Sequence, residues 1–345
     1  MGFNNIYLSI VLCGRNDNYG GDFIQRLQHF FDWNVTLLEH FKIDNEIILV
    51  NWNPNKENLP LEQLVRFQPG RRYTSIRIIT VTHETHLKYE NPTVRKTVPI
   101  FEFVAKNAGI RRAKGEYILC VNADVLIHPK IFKYISQKNL CQDYYYRANR
   151  IDFTKFTGQH TLSLLWRNGF VVSLKGFMYR FHYSLPIILQ YHALRLFNYG
   201  RIKWELWKKN NHEFCNRWHI SVNYDNAEYY AHCVNCGDFM LMHSSHWKRL
   251  KGYPENTYIS THTDSIFTLM AYSILKEKVF VWPVFHQEHE RRYTWKDIQK
   301  EKLFQAAYKN FQCIGQSLLA GDAVDHYLNS DDWGVANFEL SEMTC

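Results

Sequence analysis

The sequence predicts an α/β fold in which a mostly parallel sheet is flanked by helices and carries a helical insertion. Short apolar runs at 6–12, 46–50 and 75–81 have the length and composition of buried strands. Between the first two, apolar residues from Phe23 to Phe41 recur at helical spacing. Strands that alternate with helices in this order run parallel, because each helix returns the chain to the same end of the sheet.

The alternation of strands and helices continues as far as residue 125. Pro99 stands at a predicted helix start, and Gly115 is predicted at the C′ position after that helix. The apolar run at 116–125 follows as a fourth buried strand. Residues 1–151 therefore make up the first predicted half of the fold.

The pattern changes in residues 152–230, which are rich in aromatic and basic residues at helical spacing and predict an insertion. From Thr161 to Ile220 there are nine Lys or Arg against two Glu, so this stretch carries seven of the chain's eight net positive charges. Such a segment can dock on an anionic membrane surface or on a phosphate-bearing acceptor, or it can be a helical cap with a solvated basic face. The sequence leaves these alternatives open.

The rest of the chain predicts a second α/β half at 231–300 and a C-terminal helical extension at 301–345, which ends in an acidic loop. A length of 345 residues suits one catalytic unit better than a string of modules. Eight irregularly spaced cysteines predict free thiols and a cytoplasmic location. The chain shows neither a signal peptide nor a lipidation motif, so any membrane contact is expected to be peripheral and on the cytoplasmic face.

Asp124 is the first candidate for a metal ligand. It lies with Asn122 at the carboxyl end of the fourth predicted strand, where open α/β sheets bind their ligands. A carboxylate there can hold a hard cation against a diphosphate, although acids in this position also cap the following helix.

The block around Asp124, KNAGIRRAKGEYILCVNAD, resembles the signature that precedes the DxD-type motif of family 2 glycosyltransferases, which have the GT-A fold. The chain also resembles a group of bacterial glycosyltransferase-like proteins of unassigned substrate. The resemblance implies a nucleotide-sugar donor, an Mn²⁺ or Mg²⁺ cofactor and an inverting mechanism. It places Asn122 where the first acid of DxD would stand, so Asp124 carries the metal assignment. Asn107, Arg111 and Asn122 become candidates for nucleotide-sugar binding.

Two loops near the front of the chain complete the predicted donor site. CGRNDNYGG follows the first strand and NWNP follows the second, which makes Arg15, Asp17, Asn51 and Asn53 the polar candidates for the nucleobase and ribose. The first loop lacks the G-x-G-x-x-G pattern, which argues against a dehydrogenase. No glycine-rich loop with a following Lys is present for a nucleotidyltransferase.

The downstream stretch CGDFMLMHSSHWKRLKGYPE resembles the acceptor side of the same superfamily and contains Gly237, Asp238 and Glu255. The helix predicted after it begins HTDS, which makes Asp264 the candidate for the base that deprotonates the acceptor hydroxyl. Asp238 is the substitute base. Asp264 also suits a purely structural role, because an acid at a helix N-terminus is favoured by the helix dipole.

The segment HQEHERR predicts further metal ligands. His286 and His289 are three residues apart and would share one face of a helical turn, and Arg291 or Arg292 would face phosphate. The HCVNC segment contains one CxxC pair without a second one, so Cys233 and Cys236 are interpreted as buried packing residues and not as zinc ligands.

Together these features predict a metal-dependent glycosyltransferase. Its partners would be a nucleotide-sugar donor and a glycan, lipid-linked or protein acceptor, with no nucleic acid. One alternative is a noncatalytic module that binds nucleotide-sugars or glycans, which the missing first acid of DxD favours. The other is a peripheral membrane protein that acts through the basic insertion.

Overall fold

The structure is a computed structural model that describes residues 6–90, 98–153, 204, 231–233, 235–255, 260–287, 289–290 and 302–345. Except for residues 152, 153 and 204, the predicted insertion at 152–230 lies outside the described residues. Arg291 and Arg292 lie outside them as well.

Nine strands form one mixed sheet in the order β5-β8-β6-β7-β4-β1-β2-β3-β9. The strands are β1 (Leu8–Gly14), β2 (Asn45–Trp52), β3 (Thr74–Val81), β4 (Tyr117–Val121), β5 (Val125–Ile127), β6 (Tyr144–Phe153), β7 (Phe239–His243), β8 (Lys276–Gln287) and β9 (Ser341–Thr344).

Helices cover both faces of the sheet. They are α1 (Phe23–His40), α2 (Leu61–Leu64), α3 (His83–Leu87), α4 (Glu102–Arg112), α5 (Pro129–Ser136), α6 (Ser244–Arg249), α7 (Thr263–Ile274) and α8 (Lys302–Ala320). One buried apolar cluster contains α1 and α5, and the other contains α4, α7 and α8. Alternate residues of β1, β2, β3, β4 and β7 enter one cluster or the other, so both faces of this part of the sheet are buried.

The predicted α/β class is confirmed, and its parallel part is the block β4-β1-β2-β3. These strands are nearly continuous apolar runs, as expected when both faces of a strand are covered. The sheet then continues through antiparallel pairings of β7 with β4 and of β6 with β7. β8 lies parallel to β6 and antiparallel to β5. Residues of the two predicted halves therefore share one sheet.

Two local predictions were wrong. The helix α4 ends at Arg112, so Gly115 does not take the C′ position. Gly115 instead lies against β1, where an added Cβ would approach the backbone nitrogen of Ser9 to 2.5 Å. The acidic end predicted as a loop contains β9, which pairs with β3 and places Glu342 beside Arg77.

The cysteines within the described residues are free. Within the described part of the chain, no helix has both the length and the apolar character needed to cross a membrane.

Candidate functional site

A cleft of about 890 Å³ opens at the carboxyl ends of β1 and β4. Its walls come from the loop after β1, the start of α4, the residues after β4 and the end of β8. The predicted site residues that line it are Arg15, Asp17, Asn122, Asp124, His286 and His289. This is the edge of a parallel sheet where ligands of α/β proteins bind.

Asp124, His286 and His289 form a cluster in this cleft, with one potential ligand atom from each lying within 4.8 Å of the others. Oδ2 of Asp124 lies 3.5 Å from Nε2 of His286 and 3.6 Å from Nε2 of His289. One carboxylate and two imidazoles are a donor set that suits a divalent transition metal.

Strand pairing assembles this cluster from distant parts of the chain. His286 lies opposite Val125 in the antiparallel pair of β8 and β5, and the backbone nitrogen of Gln287 donates to the carbonyl oxygen of Asp124 at 3.0 Å. The helical turn predicted for this segment was wrong, because His286 is a strand residue. The two imidazoles lie together in the cleft, with the two ring centroids 5.6 Å apart.

The surroundings of His289 fix which ring nitrogen faces Asp124. Its Nδ1 lies 2.9 Å from the carbonyl oxygen of Glu290, which can only accept, so Nδ1 carries the proton and donates. Nε2 then holds a lone pair. Burial lowers the pKa of His289, which favours this neutral form. Gly20, at φ +68°, lies under the ring, where a Cβ would approach Nδ1 to 2.8 Å.

Asp124 also has a cationic neighbour, Arg26. The Nε of Arg26 lies 3.7 Å from Oδ2 of Asp124, beyond hydrogen-bonding distance. The other guanidinium nitrogens of Arg26 bond to Asp22 and to the carbonyl oxygen of Tyr19, which holds the loop after β1 against the cleft. Oδ1 of Asp124 is buried without a hydrogen-bond partner. A buried carboxylate oxygen in this condition is suited to accept a cation.

A second cleft of about 440 Å³ adjoins the first and contains both predicted base candidates, Asp238 and Asp264. The two clefts share a wall made of Glu102, Asn122, Arg150, Asn235 and Ser260. A ligand in one cleft would therefore adjoin a ligand in the other.

The carboxylate of Asp264 accepts hydrogen bonds from two backbone groups and also interacts with the thiol of Cys236. The nitrogen of Gly237 donates to Oδ2 at 2.7 Å and the nitrogen of Ser265 donates to Oδ1 at 2.9 Å. Each oxygen keeps a lone pair for a further partner. Burial raises the pKa of Asp264, which brings the carboxyl closer to the range useful for a general base near neutral pH.

Asp238 is bound on both sides by side chains. Its Oδ1 accepts from Nδ2 of Asn122 at 2.7 Å, and its Oδ2 accepts from Nη1 of Arg150 at 2.9 Å. Asp238 is only 3 % exposed. Both carboxylate oxygens of Asp238 are therefore already bound by side chains of the protein.

Asn122 belongs to the same buried network. Its Oδ1 accepts from Nζ of Lys106, a fully buried lysine that also donates to Glu102 at 2.7 Å and to the carbonyl oxygen of Gly237 at 3.1 Å. Burial alone would lower the pKa of Lys106, but Glu102 beside it raises the pKa above its ordinary value. Asn122 therefore connects Lys106 to Asp238, with its amide taken up by these two side chains.

The four front-loop candidates separate into two pairs. Arg15 and Asp17 line the first cleft and form an ion pair at 2.7 Å. Asn53 supports this pair from behind, because its carbonyl oxygen accepts from Nε of Arg15 at 2.6 Å. Asn51 is buried at the end of β2, and neither it nor Asn53 is among the residues that line the two clefts.

Asn107 and Arg111 lie on the side of α4 that faces the C-terminal segment and do not reach either cleft. Asn107 bonds to both backbone groups of Tyr253 and to Glu255. Arg111 packs over the ring of Trp333 at 5.1 Å. The structure gives both residues packing contacts, so they do not enter the proposal below.

Sequence reasoning missed Arg26, Glu102, Lys106 and Arg150. Lys106 left a signal, since it lies on the apolar face of a helix where an unpaired lysine would be costly. Arg150 pairs with an acid 88 positions away, and no local pattern announces such a contact. Cys233 and Cys236, which the sequence predicts to be buried, are both buried beside Ser265.

The chain matches no protein-family model and no curated protein. Among solved structures it is similar to S. aureus TarS 1–349, with 11% identity over 90% of this chain and 71% of that chain and a TM-score of 0.44. The same protein in complex with UDP-GlcNAc gives 12% identity over 90% and 72%, with a TM-score of 0.42. The mannosyltransferase PcManGT from Pyrobaculum calidifontis, in complex with GDP-Man and Mn²⁺, gives 11% over 91% and 70%, also with a TM-score of 0.42. Similarity at this level identifies neither a family nor an activity.

Proposed function

We propose that this chain is a metal-dependent glycosyltransferase that moves a sugar from a nucleotide-sugar donor in the first cleft to an acceptor hydroxyl in the second. The observation that carries the proposal is the cluster of Asp124, His286 and His289 at the sheet edge, in a cleft that shares a wall with a second cleft containing Asp264.

Asp124, His286 and His289 would hold the metal. The unpartnered Oδ1 of Asp124 and the lone pair on Nε2 of His289 fit such an ion, because without a cation the two groups would repel each other. Two imidazole donors favour Mn²⁺ over Mg²⁺, which prefers oxygen ligands. When bound, the ion supplies charge that stabilises a departing diphosphate.

The cations in the first cleft suit an anionic donor. Arg15, Arg26 and Arg150 all line it, and guanidinium groups bind phosphate oxygens well. A volume of about 890 Å³ lies within the range of small-molecule sites.

Asp264 is the better of the two base candidates. It would accept the proton from the acceptor hydroxyl as the oxygen attacks the sugar carbon, while the bond from that carbon to the diphosphate breaks. Asp238 has its two oxygens held by Asn122 and Arg150 and serves to position the shared wall.

A thermal-shift assay tests the donor and the metal together, because a ligand that binds only the native state raises its melting temperature. The full chain is heated with UDP, GDP or TDP and their sugars, with and without Mn²⁺. We expect one nucleotide family to stabilise the wild type only with Mn²⁺, and Asp124→Asn to lose that shift. Asp325→Asn, a matched change at an exposed aspartate, should keep it.

Donor hydrolysis separates an enzyme from a noncatalytic binding module. A transferase with water as its acceptor should release nucleoside diphosphate slowly in an Mn²⁺-dependent reaction. Binding without any release would contradict the transferase, and the absence of any nucleotide-dependent shift would contradict the whole proposal.

A further inference from the structure

The two clefts differ in how their charges are arranged. The first is lined by three arginines and by the two histidines of the metal cluster. Among the described residues that line the second cleft, Arg150 is the only Arg or Lys, and it is bonded to Asp238. The described lining of the second cleft therefore carries three acids, Glu102, Asp238 and Asp264, against this one arginine, and offers an anionic ligand no surplus of positive charge.

Charges near the second cleft are paired within the protein. Glu102 pairs with Lys106 at 2.7 Å, and Asp238 pairs with Arg150 at 2.9 Å. Burial lowers the pKa of His262, so its imidazole is neutral near pH 7. Among the described residues that line this cleft, an anionic group would meet Asp264 without an uncommitted cation to offset the repulsion.

The remaining lining consists of hydroxyl and amide groups and an aromatic wall. Ser260, Thr261 and Asn235 offer neutral donors and acceptors. His262 stacks on Phe311 of α8, with ring centroids 5.1 Å apart and an angle of 6° between the planes. Neutral polar groups beside an aromatic surface suit a polyhydroxylated ring, which has both hydroxyl edges and apolar faces.

His262 holds this position in a backbone conformation that side chains other than glycine seldom adopt. Its φ is +64°, two residues before Asp264 and at the start of α7. Such conformations carry a free-energy cost and tend to occur at functional sites. The turn sets the imidazole in the cleft wall and directs the chain toward the carboxylate of Asp264.

We infer that the second cleft recognises its acceptor as a neutral sugar, with the ring of His262 as part of the recognition surface. The inference rests on the proposed function, since it names the acceptor class of that transferase. It excludes phosphorylated glycans and lipid phosphates as the groups that enter this cleft, and a basic peptide is the competing ligand that the experiment tests.

Saturation-transfer NMR on the full chain tests the inference without knowledge of the donor. The probes are methyl glycosides of glucose, galactose and N-acetylglucosamine, their 6-phosphates, and a lysine-containing tripeptide, each with Mn²⁺ and with and without UDP or GDP. We expect saturation of one or more neutral glycosides and at least tenfold weaker signals from the phosphates and the peptide.

Variants assign the signal to the cleft. His262→Asn keeps a residue that tolerates positive φ but removes the ring, and it should lose most of the glycoside signal. His262→Phe should retain a substantial part of it, and His326→Asn, at an exposed histidine of the C-terminal segment, should retain all of it.

The inference is overturned if the phosphates or the peptide bind as well as the neutral glycosides, if no probe binds, or if His262→Asn binds like the wild type. The thermal shift with nucleotide and Mn²⁺, recorded on the same samples, reports on the proposed function separately. A shift without glycoside binding removes this inference alone. Glycoside binding without a shift supports a neutral-sugar site but removes the transferase.

Discussion

At Asp124, two imidazole nitrogens and a guanidinium nitrogen lie within 3.7 Å of one carboxylate oxygen. None of these contacts is short enough for a strong hydrogen bond. The spacing leaves room for a shared cation, and the tautomer of His289 presents a lone pair to it. Small displacements of this ring should therefore change metal affinity more than they change stability.

Gly20→Ala tests that expectation, and Gly21→Ala is its matched control. Both glycines have positive φ, so both variants pay the same kind of backbone cost, of about 1 kcal/mol. Only at Gly20 would the new Cβ meet the imidazole of His289, since no atom lies within 4 Å of a Cβ built at Gly21. Calorimetric titration with Mn²⁺ should show roughly tenfold weaker binding for Gly20→Ala than for Gly21→Ala, as for other changes that disturb ligand orientation. Equal affinities would contradict the role given to His289.

Asp264→Asn should reduce nucleoside-diphosphate release by about 10²-fold or more and leave the Mn²⁺-dependent thermal shift intact, because a base acts on the chemical step. The raised pKa of Asp264 also predicts a pH dependence. The base is active only when deprotonated, so the rate should rise with pH through a value above the ordinary 3.8 of an aspartate. A rate profile that keeps the same acid limb in Asp264→Asn would assign that limb to another group.

Lys106→Met should destabilise the fold by about 3 kcal/mol, because the change leaves Glu102 and the oxygens of Asn122 and Gly237 without their donor. Lys309→Met, at an exposed lysine of α8, should change stability by less than about 0.5 kcal/mol. Urea unfolding at pH 7 measures the free energy of unfolding of both variants. The double variant Lys106→Met/Glu102→Gln should recover part of the lost stability. If it does not, the loss of stability in Lys106→Met does not come from the broken ion pair with Glu102.

Single residues were predictable where their place in the chain fixed their place in the fold. Asp124 follows the buried strand β4, so its position at the sheet edge followed from the apolar run before it. The pairing of Asn122 with Lys106 and Asp238 depends on side chains from α4 and from the turn before β7. A pattern read along the chain contains no information on those contacts.

At the scale of elements, the parallel strands were predictable because each is a short apolar run separated from the next by a helix. β8 was missed as a strand for two reasons. Its first half is partly exposed, and a register shift against β6, between Ala148 and Arg150, breaks the two-residue alternation of a strand. β9 was missed because its four residues are all exposed and polar or small apart from Met343. Edge strands of this kind are recognised by their partner and not by their own composition.

The ion pair that joins β9 to β3 is expected to stabilise the fold in a pH-dependent way. Arg77 bonds to both oxygens of Glu342, at 2.7 and 2.8 Å, and also to buried Glu46. Hydrogen bonds from Arg77 lower the pKa of Glu342, so this contact stabilises the fold above the ordinary pKa of 4.5 and loses its effect as the pH falls through the lowered value. Glu342→Gln should cost about 1 kcal/mol at pH 7, after allowance for its partial exposure.

Urea unfolding at pH 7 and again near pH 3.5 checks this prediction, with Glu339→Gln as the control at an exposed glutamate. The difference in free energy of unfolding between the wild type and Glu342→Gln should be smaller at the lower pH. If this difference is the same at both pH values, the loss of stability in Glu342→Gln comes from altered packing and not from the loss of the carboxylate charge.

At the scale of the whole molecule, one sheet carries both clefts. β4 ends at the metal cluster, β7 begins next to Asp238, and the two strands are hydrogen-bonded neighbours. The proposed donor and acceptor sites would therefore be fixed to the same rigid element, which suits a reaction that needs two substrates in a constant relative position.

Strand order also has a consequence for synthesis on the ribosome. A nascent chain that has exposed residues up to β5 can already pair β4, β1, β2 and β3, and it carries Asp124. His286 and His289 emerge some 160 positions later, and β8 must then seat between β5 and β6, strands made long before it. Pairings this distant along the chain form late in folding. Metal capture would therefore mark the completion of the sheet and could not assist its early steps.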